Sequence, residues 1–281
     1  MTTPVPRTLY VHDDLSAELK AHGAHAQQLG EALFERLRAD ERIVVLTLDE
    51  QLDALVARGQ HAPFAGAVGI GRAGARVAAQ VHARTGWFPV IHAVDLWREE
   101  DDAGGYALAG SATLASQLPR IADADSIAVV DDTIFSGLTM RAVLEALPPR
   151  RNRRVHAFCL RAVAESLPGV AALAPVSAGV AAAGRILEDV SFINASGLVR
   201  RGAIRRAGQA SLAFFERPEW MEAWFPGYTE AIVKLCRELH EAVEAPRADR
   251  APRTRRGSPA PSARPGSRRP GSSSRRSAPG R

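Results

Sequence analysis

Cysteine is scarce in this 281-residue chain: only Cys159 and Cys236 occur. Two thiols that far apart form neither a metal-ligand spacing nor a disulfide framework, which fits a reducing compartment and makes the cytoplasm the expected location. Lysine is equally scarce, with Lys20 and Lys234 set against 34 arginines, a coding bias rather than a chemical signal. Long apolar runs are missing too. The longest, around residues 170–184, is Ala-rich and well short of the roughly 18 to 20 residues that span a bilayer, so no membrane partner is expected. The opening stretch, MTTPVPRTLYVHDD, lacks both a basic and an apolar region, so no signal peptide is expected. No repeat with a period of 20 to 50 residues is visible.

The formal charge of +5 is an average over two unlike segments. Residues 245–281 hold 11 Arg, 1 Asp, 7 Pro, 7 Ser and 4 Gly, a charge of +10 with almost nothing apolar. Such a composition cannot bury enough surface to fold, and a disordered tail is expected there. Nucleic acid is a conceivable partner for this tail alone. The remaining 244 residues carry −5, are rich in Ala, Val and Leu, and suffice for one large α/β domain.

Apolar runs alternate with helical patterns along that domain. Strands are expected at 7–11, 42–48, 64–70, 88–96, 126–131 and 154–160; helices are expected at 15–38, 49–58 with Asp49 as N-cap, 75–84 and 137–147. An amphipathic helix is expected at 229–244, with Ile232, Leu235, Cys236 and Leu239 on one face. Segment 97–111 has no periodicity and reads as a loop. Strands alternating with helices of 10 to 15 residues imply βαβ units, hence a Rossmann-like, twisted, mostly parallel sheet flanked by helices. The expected organisation is an N-terminal α/β extension (1–60) packed on a core (61–184), a C-terminal helical or hood segment (185–244) and the tail.

Ligands of such sheets bind beyond the carboxyl ends of the strands, where two glycine-bearing turns fall. In the second, the apolar Ile127, Ala128, Val129 and Val130 deliver Asp131 and Asp132, and Thr133-Ile134-Phe135-Ser136-Gly137-Leu138-Thr139 opens a helix. Amides at a helix N-terminus, with the Ser136 and Thr139 hydroxyls, make a phosphate cradle, and Gly137 permits close backbone approach. Two carboxylates would repel that phosphate unless they face a neutral, hydroxyl-rich part of the same ligand. A ribose 5-phosphate satisfies this geometry. The bland reading is a strand ending in an Asp-rich cap. The first turn contains Gly69-Ile70-Gly71-Arg72-Ala73-Gly74, with Asp95 at the end of the next strand. Read alone it is a passable dinucleotide fingerprint, with Asp95 on a ribose hydroxyl, or simply a tight helix–strand packing turn.

The pattern of four apolar residues, Asp-Asp, three residues, Ser-Gly, one residue and Thr resembles the signature of type I phosphoribosyltransferases, matched in full by Asp131, Asp132, Ser136, Gly137 and Thr139. The resemblance covers about residues 64–160. It implies that Asp131 and Asp132 hold the ribose hydroxyls of phosphoribosyl pyrophosphate, as the catalytic pair, while 133–139 wraps its 5-phosphate. The first turn also resembles the family's pyrophosphate-binding turn, with Gly71 and Ala73 replacing Pro and Gly. Gly71, Arg72, Ala73 and Gly74 would then bind the leaving group, and one ligand would account for both turns. The family places a mobile loop at 97–111; here its sole cation is Arg98, with Gly104 and Gly105 as hinges.

By that resemblance the protein is a pentosyltransferase of nucleotide metabolism, moving a phosphoribosyl group to a base-like, small-molecule acceptor. Mg²⁺ would be carried by the substrate, with Asp131 and Asp132 in reach, and the expected assembly is a homodimer. Phe135 stands where purine-salvage members have Asp, which argues against a hypoxanthine- or guanine-type acceptor. The alternatives are a non-catalytic phosphoribosyl pyrophosphate sensor with a nucleic-acid-binding tail and, behind it, an NAD(P)-dependent dehydrogenase. Segment 192–228 carries Arg200, Arg201, Arg205 and Arg206 with Phe214, Phe215, Trp220, Trp224 and Phe225. It is either a substrate hood or nucleic-acid surface, or, as favoured here, the packing of a C-terminal helix.

Overall fold

The computed structural model describes residues 8–58, 63–101, 105–118, 121, 123–183 and 192–244. The tail expectation for 245–281, the hinge Gly104 and parts of the other segment boundaries lie outside these residues. The chain opens with β1 (Leu9–His12), α1 (Ser16–Leu19), α2 (Ala24–Arg38), β2 (Ile43–Leu46) and α3 (Leu48–Arg58). Next come β3 (Gly66–Ile70), α4 (Gly71–Thr85), β4 (Ile91–Val94), β5 (Leu96–Glu100), β6 (Tyr106–Gly110) and α5 (Leu114–Gln117). The remainder is β7 (Ser126–Ile134), α6 (Leu138–Ala146), β8 (Arg154–Val163), α7 (Leu167–Ala171) and β9 (Val176–Ala182), then β10 (Phe192–Asn194), α8 (Ala195–Val199), α9 (Pro218–Trp224) and α10 (Thr229–Glu244).

The central sheet has five parallel strands in the order β4-β3-β7-β8-β9. It is the expected α/β fold with a mostly parallel sheet flanked by helices. Its strands read as near-continuous apolar runs because both faces are covered. Ile127 and Val129 point into a cluster with Met140, Val143 and Val170 from α6 and α7. Ala128 and Val130 point the other way, toward Leu52, Leu55, Val77 and Val81 from α3 and α4. Strand order reverses between β3 and β7: from β3 the chain steps outward to β4, and from β7 it steps the opposite way to β8 and β9. The carboxyl ends of β3 and β7 therefore flank a crevice that no crossover fills, the place where open α/β sheets bind ligands.

A second parallel sheet has the order β10-β1-β2, pairing the beginning of the chain with its C-terminal part. One core cluster joins Leu9, Leu33 and Leu37 to Ile193, Trp224, Ile232 and Leu239. The N-terminal extension and the hood segment are thus built around a shared core, whereas α3, sequentially part of that extension, packs on the central sheet. Phe192 of β10 meets Val163 and Ala182 at the ends of β8 and β9.

Several expectations shift. Segment 97–111 is no loop: Leu96 to Glu100 pairs antiparallel with Tyr106 to Gly110 as a hairpin. Its polar residues hid the alternation because, beyond Leu96, neither strand is buried in the core. The helix expected at 75–84 begins at Gly71, and the strand expected to stop at 131 runs to Ile134 on β8. Strand β9, Ala-rich and poor in β-branched residues, was not expected at all. Helix α2 is cut from α1 by Gly23 at φ 90°. Thr47, not Asp49, caps α3: its Oγ1 accepts from Glu50 N at 3.3 Å while Glu50 Oε2 accepts from Thr47 N at 3.0 Å, a reciprocal capping box. On α10, Ile232, Cys236, Leu239 and Val243 are buried, and Leu235 sits half-buried to one side.

Candidate active site

Strand β3 turns into α4 within one residue, and its glycines have separate steric reasons. Gly71 adopts φ +58°, a left-handed conformation that disfavours any side chain. A Cβ on Gly69 would lie 2.4 Å from Ala75 Cα, and one on Gly74 would lie 2.3 Å from the Val130 carbonyl oxygen. Gly74 therefore lets α4 press against β7 rather than contacting a ligand. The second turn is short, Phe135-Ser136-Gly137, and Gly137 (φ 76°, ψ 5°) sits at the N-cap of α6. Ser136 is exposed at the head of that nine-residue helix.

The two turns and the hairpin enclose one cavity of about 640 Å³. Gly71, Arg72, Ala73, Arg98, Asp131, Asp132, Thr133, Phe135, Ser136, Gly137, Leu138 and Thr139 all line it, as does Asp95. Of the residues singled out in the sequence, Ile134 and Gly74 do not: both are buried, Ile134 against α6 and β8. A second cavity of about 700 Å³ shares Arg72, Arg98, Asp132 and Phe135, and extends to Phe192, Asn194, Ser196, Trp220 and Trp224 beneath the hood. The aromatics of 192–228 are thus packing residues, as favoured, but some also wall a cavity beside the cradle.

The adjacent carboxylates are electrostatically unequal. Asp131 is 7% exposed, and burial together with the neighbouring Asp132 raises its pKa well above the usual carboxylate range. Its Oδ1 accepts from Asp132 N at 2.8 Å, and its Oδ2 accepts from Thr139 Oγ1 at 3.5 Å. Burial pushes Asp132 upward too, but the Arg161 guanidinium at 2.9 Å, with hydrogen bonds from neighbours, outweighs it and holds Asp132 below the usual range. The pair therefore keeps its negative charge preferentially on Asp132, beside the guanidinium, and Asp131 is the member that takes up a proton first. Arg161 carried no sequence signal. It occupies an apolar-looking strand, and only the register Thr133↔Arg161 sets it beside the pair.

The hairpin cation is held by two rings: Arg98 Cζ lies 4.6 Å from the Tyr106 ring centroid and 4.7 Å from that of Phe135, and the residue lines the cavity. Arg205 lies 4.9 Å over Trp97 and lines the same space. The hairpin's acidic residues are engaged rather than free: Glu99 accepts from Trp97 Nε1 at 2.7 Å, and Glu100 pairs with Arg217. Backbone bonds from Glu100 N to Arg205 O and from Ala207 N to Glu100 O strap the hairpin to the C-terminal segment. At its base, Gln117 Oε1 accepts from Asp95 N at 2.6 Å and its amide donates to Ala112 O at 2.8 Å.

Two hard oxygen donors, Asp131 and Asp132, face the cavity, and no group of three or more His, Cys, Asp or Glu that would enclose a metal occurs among the described residues. No helix among the described residues is long and apolar enough to cross a membrane.

No family model matches this chain, and no curated protein does. Solved structures do resemble it. A hypothetical protein from Neisseria gonorrhoeae with bound ppGpp is 17% identical, over 53% of this chain and 85% of that one, at a TM-score of 0.38. Purine phosphoribosyltransferase from Pyrococcus horikoshii is 15% identical over 52% of this chain and 86% of its own, at 0.34. Orotate phosphoribosyltransferase from Aeropyrum pernix is 19% identical over 52% of this chain and 75% of its own, at 0.31. Over about half of its length the α/β chain is similar to these solved phosphoribosyltransferase structures.

Proposed function

We propose that the protein binds 5-phosphoribosyl 1-pyrophosphate and transfers its phosphoribosyl group to a base-like acceptor, releasing pyrophosphate. The observation that carries this reading is convergence: a carboxylate pair, a hydroxyl- and glycine-bearing helix N-terminus, and Arg72 with Arg98 line one cavity at the switch point of the sheet. Asp131 and Asp132 accept the ribose hydroxyls. The 135–139 amides, Ser136 and Thr139 hold the 5-phosphate. Arg72 and Arg98 face the diphosphate, and the cavity under the hood receives the acceptor. A ring nitrogen attacks C1, the C1–O bond breaks with its electron pair leaving on pyrophosphate, and the nitrogen's proton passes to solvent. Positive charge develops on the sugar and negative charge on the departing group, so fixed ends and arginine neutralisation supply the catalysis. If Mg²⁺ binds together with the diphosphate, Asp131 and Asp132 are the side chains that would hold it, and it would supply further charge neutralisation. Phe135, covered by Arg98, offers no carboxylate to a purine ring, which argues for another acceptor class. A homodimer belongs to the same proposal.

Calorimetric titration with phosphoribosyl pyrophosphate and Mg²⁺ tests binding, and pyrophosphate release across a panel of bases tests transfer. Saturable binding, lost in the double variant Asp131→Asn, Asp132→Asn, is expected. Absence of binding would end the proposal. Binding without turnover, accompanied by salt-sensitive nucleic-acid affinity that disappears on deleting 245–281, would mark a sensor instead. NAD(P) binding that survives the double variant would favour a dehydrogenase.

A further inference from the structure

Arg161 is 1% exposed, a guanidinium enclosed between the two sheets. Burying such a charge carries a large desolvation penalty, and an apolar side chain of similar volume would fill the space without one. Its contacts point one way. Nη2 donates to Asp132 Oδ2 at 2.9 Å and to Asn194 Oδ1 at 2.6 Å, and Nη1 donates to Gln51 Oε1 at 3.1 Å. Those partners sit on β7, β10 and α3, while Arg161 itself belongs to β8. Because Gln51 Oε1 accepts, its Nε2 donates, to His12 Nδ1 at 2.8 Å and to Thr47 O at 2.8 Å. Asp132 Oδ2 takes a second bond from Thr133 Oγ1 at 3.2 Å. None of these bonds goes directly to the 135–139 cradle, whose one link to the carboxylate pair is the long 3.5 Å bond from Thr139 Oγ1 to Asp131 Oδ2.

We propose that Arg161 is a positioning residue for sugar recognition: clamped to Gln51 and Asn194, it fixes the orientation of the Asp132 carboxylate that meets the ribose hydroxyls. This rests on the phosphoribosyl-binding reading above. Without the guanidinium, Asp132 stands beside Asp131 with no counter-charge and turns away from it, losing the sugar contact while the phosphate cradle stays intact. Through Asn194 on β10 and His12 on β1, the second sheet becomes the support of a site built on the first.

The test is metal-free calorimetry of the full chain with inorganic phosphate and with ribose 5-phosphate. The ratio of the two dissociation constants reports the sugar contacts alone. In Arg161→Met we expect this ratio to fall about 10-fold, the loss of one charge-assisted hydrogen bond, with phosphate affinity unchanged. Arg161→Lys restores part of the ratio, and Asp132→Asn adds little to Arg161→Met because both remove the same contact. Equal loss of both affinities, or a ratio that stays at the wild-type value, overturns the proposal. Should Arg161→Met fail to fold, Asn194→Ala leaves the arginine in place with one tether fewer. It must lower the ratio by about 3-fold, and an unchanged ratio overturns the proposal equally. A wild-type protein with no preference for ribose 5-phosphate over phosphate defeats the phosphoribosyl reading itself. A preference kept in Arg161→Met defeats only the positioning role.

Discussion

Gly74 shows how one missing Cβ shapes the site. The Val130 carbonyl oxygen occupies the position 2.3 Å from where that atom would stand, and the backbone of a central strand cannot yield without moving the Asp131 that follows it. Gly74→Ala is therefore expected to destabilise the protein by about 1–3 kcal/mol. It should also weaken phosphoribosyl pyrophosphate binding, because α4 and β7 carry the two halves of the cavity. Chemical denaturation read against calorimetry checks both, and an alanine variant with wild-type stability would contradict the packing argument. Gly71 is a different case: a Cβ there would meet the Leu96 carbonyl oxygen at an ordinary 3.6 Å, and its constraint is the positive φ.

At the scale of elements, the turns matter more than the strands. Helix α3 starts where Thr47 and Glu50 exchange hydrogen bonds, and Gln51, one residue later, supports Arg161. Thr47→Ala should cost about 1 kcal/mol, measured by thermal or urea unfolding. Loss of the cap frays the first turn of the helix, so amide exchange at residues 48–51 should accelerate ahead of the rest of α3. Uniform exchange along α3 would show that the cap is not what holds this end. The hairpin is an element of another kind. Leu96 anchors its base in the core, and beyond that residue it is held by the 205–207 strap and the Glu100–Arg217 pair.

Across the whole molecule, His12 ties the stability of the two-sheet arrangement to pH. Burial, reinforced by Arg161, lowers its pKa from 6.5 to about 3, so the folded protein keeps it neutral while the unfolded chain protonates it. The associated stability is complete above pH 6.5 and is lost as pH falls from there toward 3, by at most about 1.4 kcal/mol per pH unit. Asp14 and Asp131, whose pKa values burial raises, act in the opposite direction, so the comparison must be made against a variant. His12→Asn should flatten the dependence of unfolding free energy on pH between 6 and 4. An unchanged slope would show that His12 is not held neutral.

Short-range chemistry is legible along the chain. Four apolar residues ending in Asp131 and Asp132, with Ser136, Gly137 and Thr139 at fixed offsets, specify a buried strand opening into a helix N-terminus, and alternation with helices specifies a parallel sheet. Period and propensity failed where packing, not local preference, decides. Ala-rich β9 is a strand because β8 offers it an edge, and the polar 97–111 segment is a hairpin because the C-terminal segment holds it. Residues 9–46 and 192–243 share one sheet and one core only through tertiary packing. Only it set Arg161 against Asp132, across 29 positions of sequence. Such pairings depend on register between strands distant in the chain, and a charged residue inside an apolar run carries no local mark of the partner that makes its burial affordable.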